Sequence, residues 1–328
     1  MKKIRKVLTI FIVICAFLVG ITTNSVYAKD NSVYLGGYTC GFSLKTKGVT
    51  VVAVTSVLTE NGKSSPSKNS GIIVGDVILS LNGKDVNSNM DIANFLKEYD
   101  GGAVVSEILR DNDKKLLNVY PEKDLNGNYR LGIFVKEDLQ GLGTVTFMTN
   151  EGKFASLGHP VANEKGEVLN IVDGSVYNSS IIGVTKGIRG KAGELKGMFI
   201  GSKPIGKITS NKEVGMYGEL YNFNPLDYKK IQTGKAVVGK AQIYSTIDGN
   251  TANYYDIEIV KTDFRQGNVK NLVIKIIDKD LILKTGGILQ GMSGSPIIQN
   301  GTLVGAVTHV FINDSTRGFG ISIDNMLK

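Results

Sequence analysis

The spacing of apolar positions changes along the chain, and each change marks a different kind of segment. Residues 7–21 are apolar or small at every position except Thr9. Further on, Val49-Thr50-Val51-Val52-Ala53-Val54 is a β-branched run. Val77-Ile78-Leu79-Ser80-Leu81 reads as a strand running into Asn82-Gly83, a hairpin signal. Ile92, Phe95 and Leu96 recur at helical spacing and predict a helix near 90–98. From Gly141 onward the apolar runs are short, at 143–148, 181–185, 235–244, 254–260, 269–277 and 302–310, cut by Gly, Asn and Asp. No long amphipathic helix and no internal repeat stands out there. That pattern predicts an all-β barrel or sandwich.

Four segments follow. Lys2, Lys3, Arg5 and Lys6 precede the apolar run, and a Val-x-Ala site ends at Ala28. This is the layout of a secretory signal. A retained anchor is equally compatible, although the run is short for a free span, which needs about 20 residues. Either places the rest of the chain outside the cytoplasm. Residues 33–120 read as one small domain, 121–140 as a polar connection and 141–328 as a second domain.

Composition narrows the function classes. The formal charge is +8, but the basic residues of 1–28 face no acid there, so much of that charge belongs to the targeting segment. The rest is mild and spread out, with no basic tract, which argues against nucleic acid. The two cysteines, Cys15 and Cys40, are placed too differently to form a disulfide framework, and no Cys/His cluster suggests a metal. No cofactor is expected.

The chemistry concentrates at Gly291-Met292-Ser293-Gly294-Ser295-Pro296, followed by a strand, a turn and a strand through His309. A serine hydroxyl needs a base to become a nucleophile, and glycines beside it allow a tight turn with N–H groups facing an oxyanion. Ser293 is thus the candidate nucleophile, with the Gly291 and Ser293 N–H groups as the oxyanion hole. Only two histidines occur. His159, in Leu157-Gly158-His159-Pro160, precedes the serine by 134 residues and is the preferred base; His309 lies on the returning strand and reads as a local packing residue. Asp278, at the end of a buried-looking strand, is the candidate orienting acid, with Asp280, Asp173 and Asp314 as rivals. An acid 15 residues before the serine departs from the chymotrypsin layout.

Three resemblances sit on these motifs. Residues 33–120 resemble a PDZ domain, with Thr39-Cys40-Gly41-Phe42 taken as the carboxylate-binding, peptide-binding loop and Gly71 to Gly83 as the more specific match. The nucleophile region resembles that of chymotrypsin-like peptidases. The expected fold is therefore a PDZ-like α+β domain followed by a mainly β, chymotrypsin-like double barrel or related peptidase domain. The whole pattern, above all Thr285 to Asp314, resembles the stage IV sporulation protein B peptidase family of endospore-forming bacteria. That resemblance implies a histidine, aspartate and serine at His159, Asp278 and Ser293. It also implies a role between the forespore and mother-cell membranes, cutting a membrane-bound regulator of an intramembrane protease.

The PDZ-like module would take a peptide, either substrate or the chain's own segment, and self-cleavage within 22–45 is one expectation. Two rival classes remain at this stage. One is a PDZ adaptor with an inactive peptidase-like domain, and the other a general envelope quality-control protease.

Overall fold

The computed structural model describes residues 31–111, 113–163 and 166–328. The expected signal or anchor, 1–28, lies outside them. All the elements treated below belong to one compact unit, Val33–Lys328. No helix among the described residues is long and apolar enough to cross a membrane.

The C-terminal half closes into a six-strand barrel. Its strands are Gly239–Ser245, Asn253–Thr262, Leu272–Ile276, Asp314–Ser322, Thr302–Phe311 and Pro296–Gln299, in barrel order. Alternation points Ile243, Ile257, Ile259, Leu272, Ile274 and Ile297 inward, where all are essentially fully buried. Five of these six are β-branched isoleucines, which suit a pleated, packed wall.

A second ring forms from strands far apart in sequence. Ile133–Met148 pairs with Lys153–Ser156, which pairs with Gly215–Leu220, then Gly206–Lys212, Ile171–Thr185 and Thr39–Val54. Thr39–Val54 pairs back onto Ile133–Met148 and completes the circuit. Cys40, Phe42, Val145, Phe154, Val176 and Met216 are among the residues that fill it.

The PDZ-like module grows out of this ring. Thr39–Val54 and Ile133–Met148 are 16-residue antiparallel strands, paired from Ile133↔Val54 to Thr144↔Thr39 with two shifts of register on the way. Their outer ends, with Val77–Leu81, Val104–Arg110, Asp113–Val119 and the helix Asn89–Lys97, enclose a separate core of Val49, Val51, Ile78, Ile92, Val104 and Ile108. The helix starts at Ser88, whose hydroxyl accepts the Asp91 N–H. Asp76 is fully buried and takes the Arg110 guanidinium on both oxygens at 2.6 and 2.7 Å, with the Ile73 N–H at 2.9 Å. Two donors on one buried carboxylate satisfy the charge and fix the Gly71-to-Asp76 turn.

Two expectations change. The segment 121–140 is not a connection: it forms the small hairpin Glu122–Lys123 with Tyr129–Arg130 and then half of a long strand. Nor is Thr39–Phe42 a loop. It is the start of the Thr39–Val54 strand, paired on both sides, with Cys40 fully buried and Thr39 and Phe42 at 5% and 3% exposure. Its backbone groups are spent on neighbouring strands and cannot hold a peptide terminus. For the same reason the part of 22–45 from Val33 on is structured, and Val33, Leu35 and 39–44 are buried.

Candidate active site

The nucleophile loop begins in the helix Lys279–Thr285. Asp278 caps it, one carboxylate oxygen accepting the Leu281 N–H at 2.8 Å and the other the Asp256 N–H at 3.3 Å. Gly286, left-handed at φ 75°, ends the helix. After Leu289–Gln290 the chain turns at Gly291 (φ 97°) and Gly294 (φ 94°), on either side of Ser293. A side chain at Gly294 would strike the Thr144 carbonyl and the Leu157 N–H. Glycine is therefore required there both by φ and by space.

The loop is held from the other ring. Thr144 donates its hydroxyl to the Gly291 carbonyl at 2.9 Å and its N–H to the Ser293 carbonyl at 3.0 Å. Thr146 donates to the Gly294 carbonyl at 2.7 Å. The Gly294 N–H goes to Val307 and the Ser295 N–H to Met292. The N–H groups of Gly291 and Ser293, the two expected oxyanion donors, have no partner among the described residues. A loop whose other peptides are fixed while these two remain uncommitted is organised to receive negative charge.

His159 follows a turn in which Leu157 (φ 65°) and Gly158 (φ 68°) are both left-handed. For a leucine this costs on the order of 1–3 kcal/mol. Strain is offset by packing: the Leu157 side chain fills the ring core, and its N–H reaches the Thr144 carbonyl at 3.3 Å. Thr144 thereby ties the serine loop and the histidine turn to one residue. Downstream, Asn211 accepts the Val161 N–H and donates to the Val161 and Leu169 carbonyls.

The imidazole is half-buried. Its Nδ1 lies 2.8 Å from the Pro160 carbonyl. A carbonyl only accepts, so Nδ1 carries the proton and Nε2 keeps its lone pair, the form a general base needs. Burial holds its pKa below the usual range. The His309 ring lies 4.7 Å away, tilted by 40°. Burial, then the neighbouring His159 and Lys270, push the His309 pKa down to about 4. The Ser293 hydroxyl donates to the Thr308 carbonyl at 2.6 Å rather than to His159.

Ser293 and His159 are thus brought to one cluster, joined through Thr308 and His309, whereas Asp278 is engaged in capping and makes no hydrogen bond to His159. Among the described residues no carboxylate pairs with His159, and no metal-binding group of three ligands occurs.

The family model described as SpoIVB peptidase S55 matches residues 127–327, and that of the PDZ domain residues 36–120. The chain belongs to the SpoIVB peptidase S55 family. It is a serine peptidase with a PDZ module, built on a mainly β scaffold. Solved structures of the Rv3671c protease in its inactive form are similar to it over 58% of this chain and 81% of theirs, at 17% identity and a TM-score of 0.32. A serine-to-alanine variant of Rv3671c from M. tuberculosis H37Rv matches at 15% identity, covering 58% of this chain and 80% of that one, with a TM-score of 0.30. The assignment rests on the family match, not on these.

For this S55 peptidase the sequence pointed to Ser293, His159 and the oxyanion glycine, and missed three supports. Thr144 and Thr146 read as ordinary strand residues, though polar residues alternating within Gly143–Met148 were a signal. Asn211 gave none. A cavity of about 490 Å³ opens between the helix Asn89–Lys97 and the Ile133–Met148 strand. Ile92, Ala93 and Leu96 face Leu131, Ile133 and Val135 across it. On the groove side no strand pairs with residues 133–142 among the described residues. The segment Leu131-Gly132-Ile133 turns at Gly132, left-handed at φ 72°, beside this cavity.

Proposed function

We propose that this peptidase is an extracytoplasmic endopeptidase that cleaves a membrane-associated regulatory protein during endospore formation, signalling from forespore to mother cell. Membership of the S55 family supports the role. The observation that carries the chemistry is the nucleophile loop, in which every peptide but the two oxyanion donors is tied down around Ser293.

In the proposed reaction the Ser293 hydroxyl leaves the Thr308 carbonyl by a side-chain rotation and gives its proton to His159 Nε2 as Oγ attacks a peptide carbonyl. The developing oxyanion takes the Gly291 and Ser293 N–H groups. Imidazolium then protonates the leaving amine, and water, deprotonated by the same ring, releases the acyl group. Asp278 acts in this scheme by fixing the helix that leads into the loop. Its membership of the triad, implied by the family pattern, needs a rearrangement of the cap. The groove beside Ile133–Val135 would accept an extended peptide by adding a strand to that edge, with an apolar side chain toward Ile92 and Leu96. The ligand is substrate or the chain's own N-terminal segment.

The test is incubation of residues 29–328, as wild type and Ser293→Ala, with a fluorophosphonate probe, read by intact mass. Labelling of wild type alone is expected. Absence of labelling in both would favour an adaptor with a silent peptidase fold.

A further inference from the structure

Three segments of the peptidase half meet at one corner beside the serine loop. The turn 186–191 joins the strands Ile171–Thr185 and Gly193–Phe199. Its Gly187 N–H donates to the Thr285 carbonyl at 3.2 Å, and its Gly190 N–H to the Ile312 carbonyl at 2.8 Å. The turn is thereby tied both to the end of the helix Lys279–Thr285 and to the tip of the hairpin between Thr302–Phe311 and Asp314–Ser322. The Ser315 hydroxyl joins those two to each other by donating to the Gly286 carbonyl at 2.6 Å. Each segment puts one large apolar side chain into solvent: Ile188, Leu283 and Ile312 are 64%, 72% and 60% exposed. Single exposed apolar residues are ordinary, but three fastened together by hydrogen bonds form a surface.

The charge around them is one-sided. Over 186–191, 279–286 and 312–315 five cations, Lys186, Arg189, Lys191, Lys279 and Lys284, stand against Asp280 and Asp314. All five are exposed, and none makes an ion pair among the described residues. Asp314 is already engaged by the Thr316 N–H and hydroxyl. The groove beside Ile133 lies elsewhere and shares no residue with this corner. Apolar tips ringed by unpaired cations suit a bilayer interface, where the tips enter the acyl boundary and the cations meet lipid phosphates. A protein partner would need carboxylates fixed opposite five flexible side chains, whereas a fluid anionic surface supplies charge wherever they reach.

We propose that this corner docks the peptidase on an anionic lipid surface, with Ile188, Leu283 and Ile312 inserted. Just past the turn, Gly193 and Glu194 pair with Leu289 and Gln290 of the serine loop. Docking therefore holds Ser293 near the bilayer and favours bonds in the membrane-proximal part of a substrate. The binding itself does not depend on the peptidase reading.

The test uses residues 29–328, which hold every element and core described above, carrying Ser293→Ala so that no cleavage contributes. Flotation is measured with vesicles of phosphatidylcholine and of an equimolar mixture with phosphatidylglycerol. Binding is expected to the mixture alone, and salt should release it. Lys186→Gln, Arg189→Gln and Lys191→Gln together should weaken it on the order of 100-fold, about fivefold per cation. Ile188→Ser with Ile312→Ser should weaken it on the order of tenfold. The chain has no tryptophan, so a single one can report depth. Emission from Leu283→Trp should shift to the blue on the mixed vesicles and be quenched by brominated lipid. Leu116→Trp, at a site 70% exposed on the PDZ-like module, should do neither. No binding to the mixture would overturn the proposal, as would quenching of the Leu116→Trp protein but not the Leu283→Trp one. Undiminished vesicle binding by the glutamine variant would overturn it equally, and slower cutting of a protein substrate by that variant would then assign the corner to a protein partner. A wild-type chain that fails to react with the fluorophosphonate probe would instead sink the peptidase reading and leave the vesicle results standing.

Discussion

The two six-strand rings of this peptidase are built from the chain in opposite ways. The serine ring is contiguous, all its strands falling between Gly239 and Ser322. The histidine ring begins at Thr39, is interrupted by the PDZ-like module and resumes in the second half of Ile133–Met148. One ring is a local object and the other depends on an insertion that leaves and re-enters it along a pair of shared strands. The PDZ-like module precedes the peptidase match along the sequence and shares strands with it in space. It is an outgrowth of the peptidase's own wall, and the strand that edges its groove also carries the threonines that hold Ser293.

Cutting the chain tests this contrast most severely. A protein starting at residue 121 lacks the Thr39–Leu44 wall and should yield no cooperative melting transition. Joining Lys45 to Asp138 through Asn-Gly, which removes the module but keeps both ring segments of the paired strands, should retain one. The reverse result would restore a tandem arrangement. Next in size, Ser293→Ala should lower peptide hydrolysis on the order of 10⁴-fold or more without moving the melting temperature.

Thr144→Val keeps the shape but leaves the part-buried Gly291 carbonyl without its donor. A loss of about 1–3 kcal/mol in denaturant unfolding is expected, with slower probe labelling that Thr144→Ser recovers. Equal labelling by Val and Ser variants would mean the rings are not coupled there. Asp278→Ala removes a helix cap and should cost about 1 kcal/mol, with labelling reduced only severalfold.

The smallest effect is a pH effect. Both imidazoles titrate below the usual 6.5 in the folded protein, His309 at about 4, so the unfolded chain binds protons that the native one refuses. Stability should be complete above pH 6.5 and fall as pH drops toward 4. His309→Phe should flatten that decline in urea titrations run across the window.

The contrast also explains what could be read from the sequence. The serine ring was legible because its strands follow one another along the chain and its loop carries glycines whose φ values demand them. His159 was legible through scarcity, being one of two histidines. The groove was not, because a glycine between apolar residues occurs at both 41 and 132. Nothing local says that the first is walled in by strands on both sides. The Asp278 expectation followed its place at the end of a strand before the serine, then the family pattern, and capping explains that position as well as catalysis would: Asp before Lys279-Asp280-Leu281 is a helix start whatever else it does. The threonine clamps depend on contacts some 150 residues away along the chain, which periodicity cannot report.

The shared strands also set an order of assembly. A ring whose first wall is Lys45 and whose second is Asp138 must close a loop of roughly 90 residues, an entropic cost of about 4 kcal/mol for a flexible chain. Folding of the module brings Val54 against Ile133 and zips the two strands toward Thr39 and Thr144, so that most of the loop is already ordered when the ring forms. The histidine turn can then lock onto Thr144 only after the module has folded. The clamp on the serine loop at Thr144 thus depends on the same strand pair from which the PDZ-like module is built.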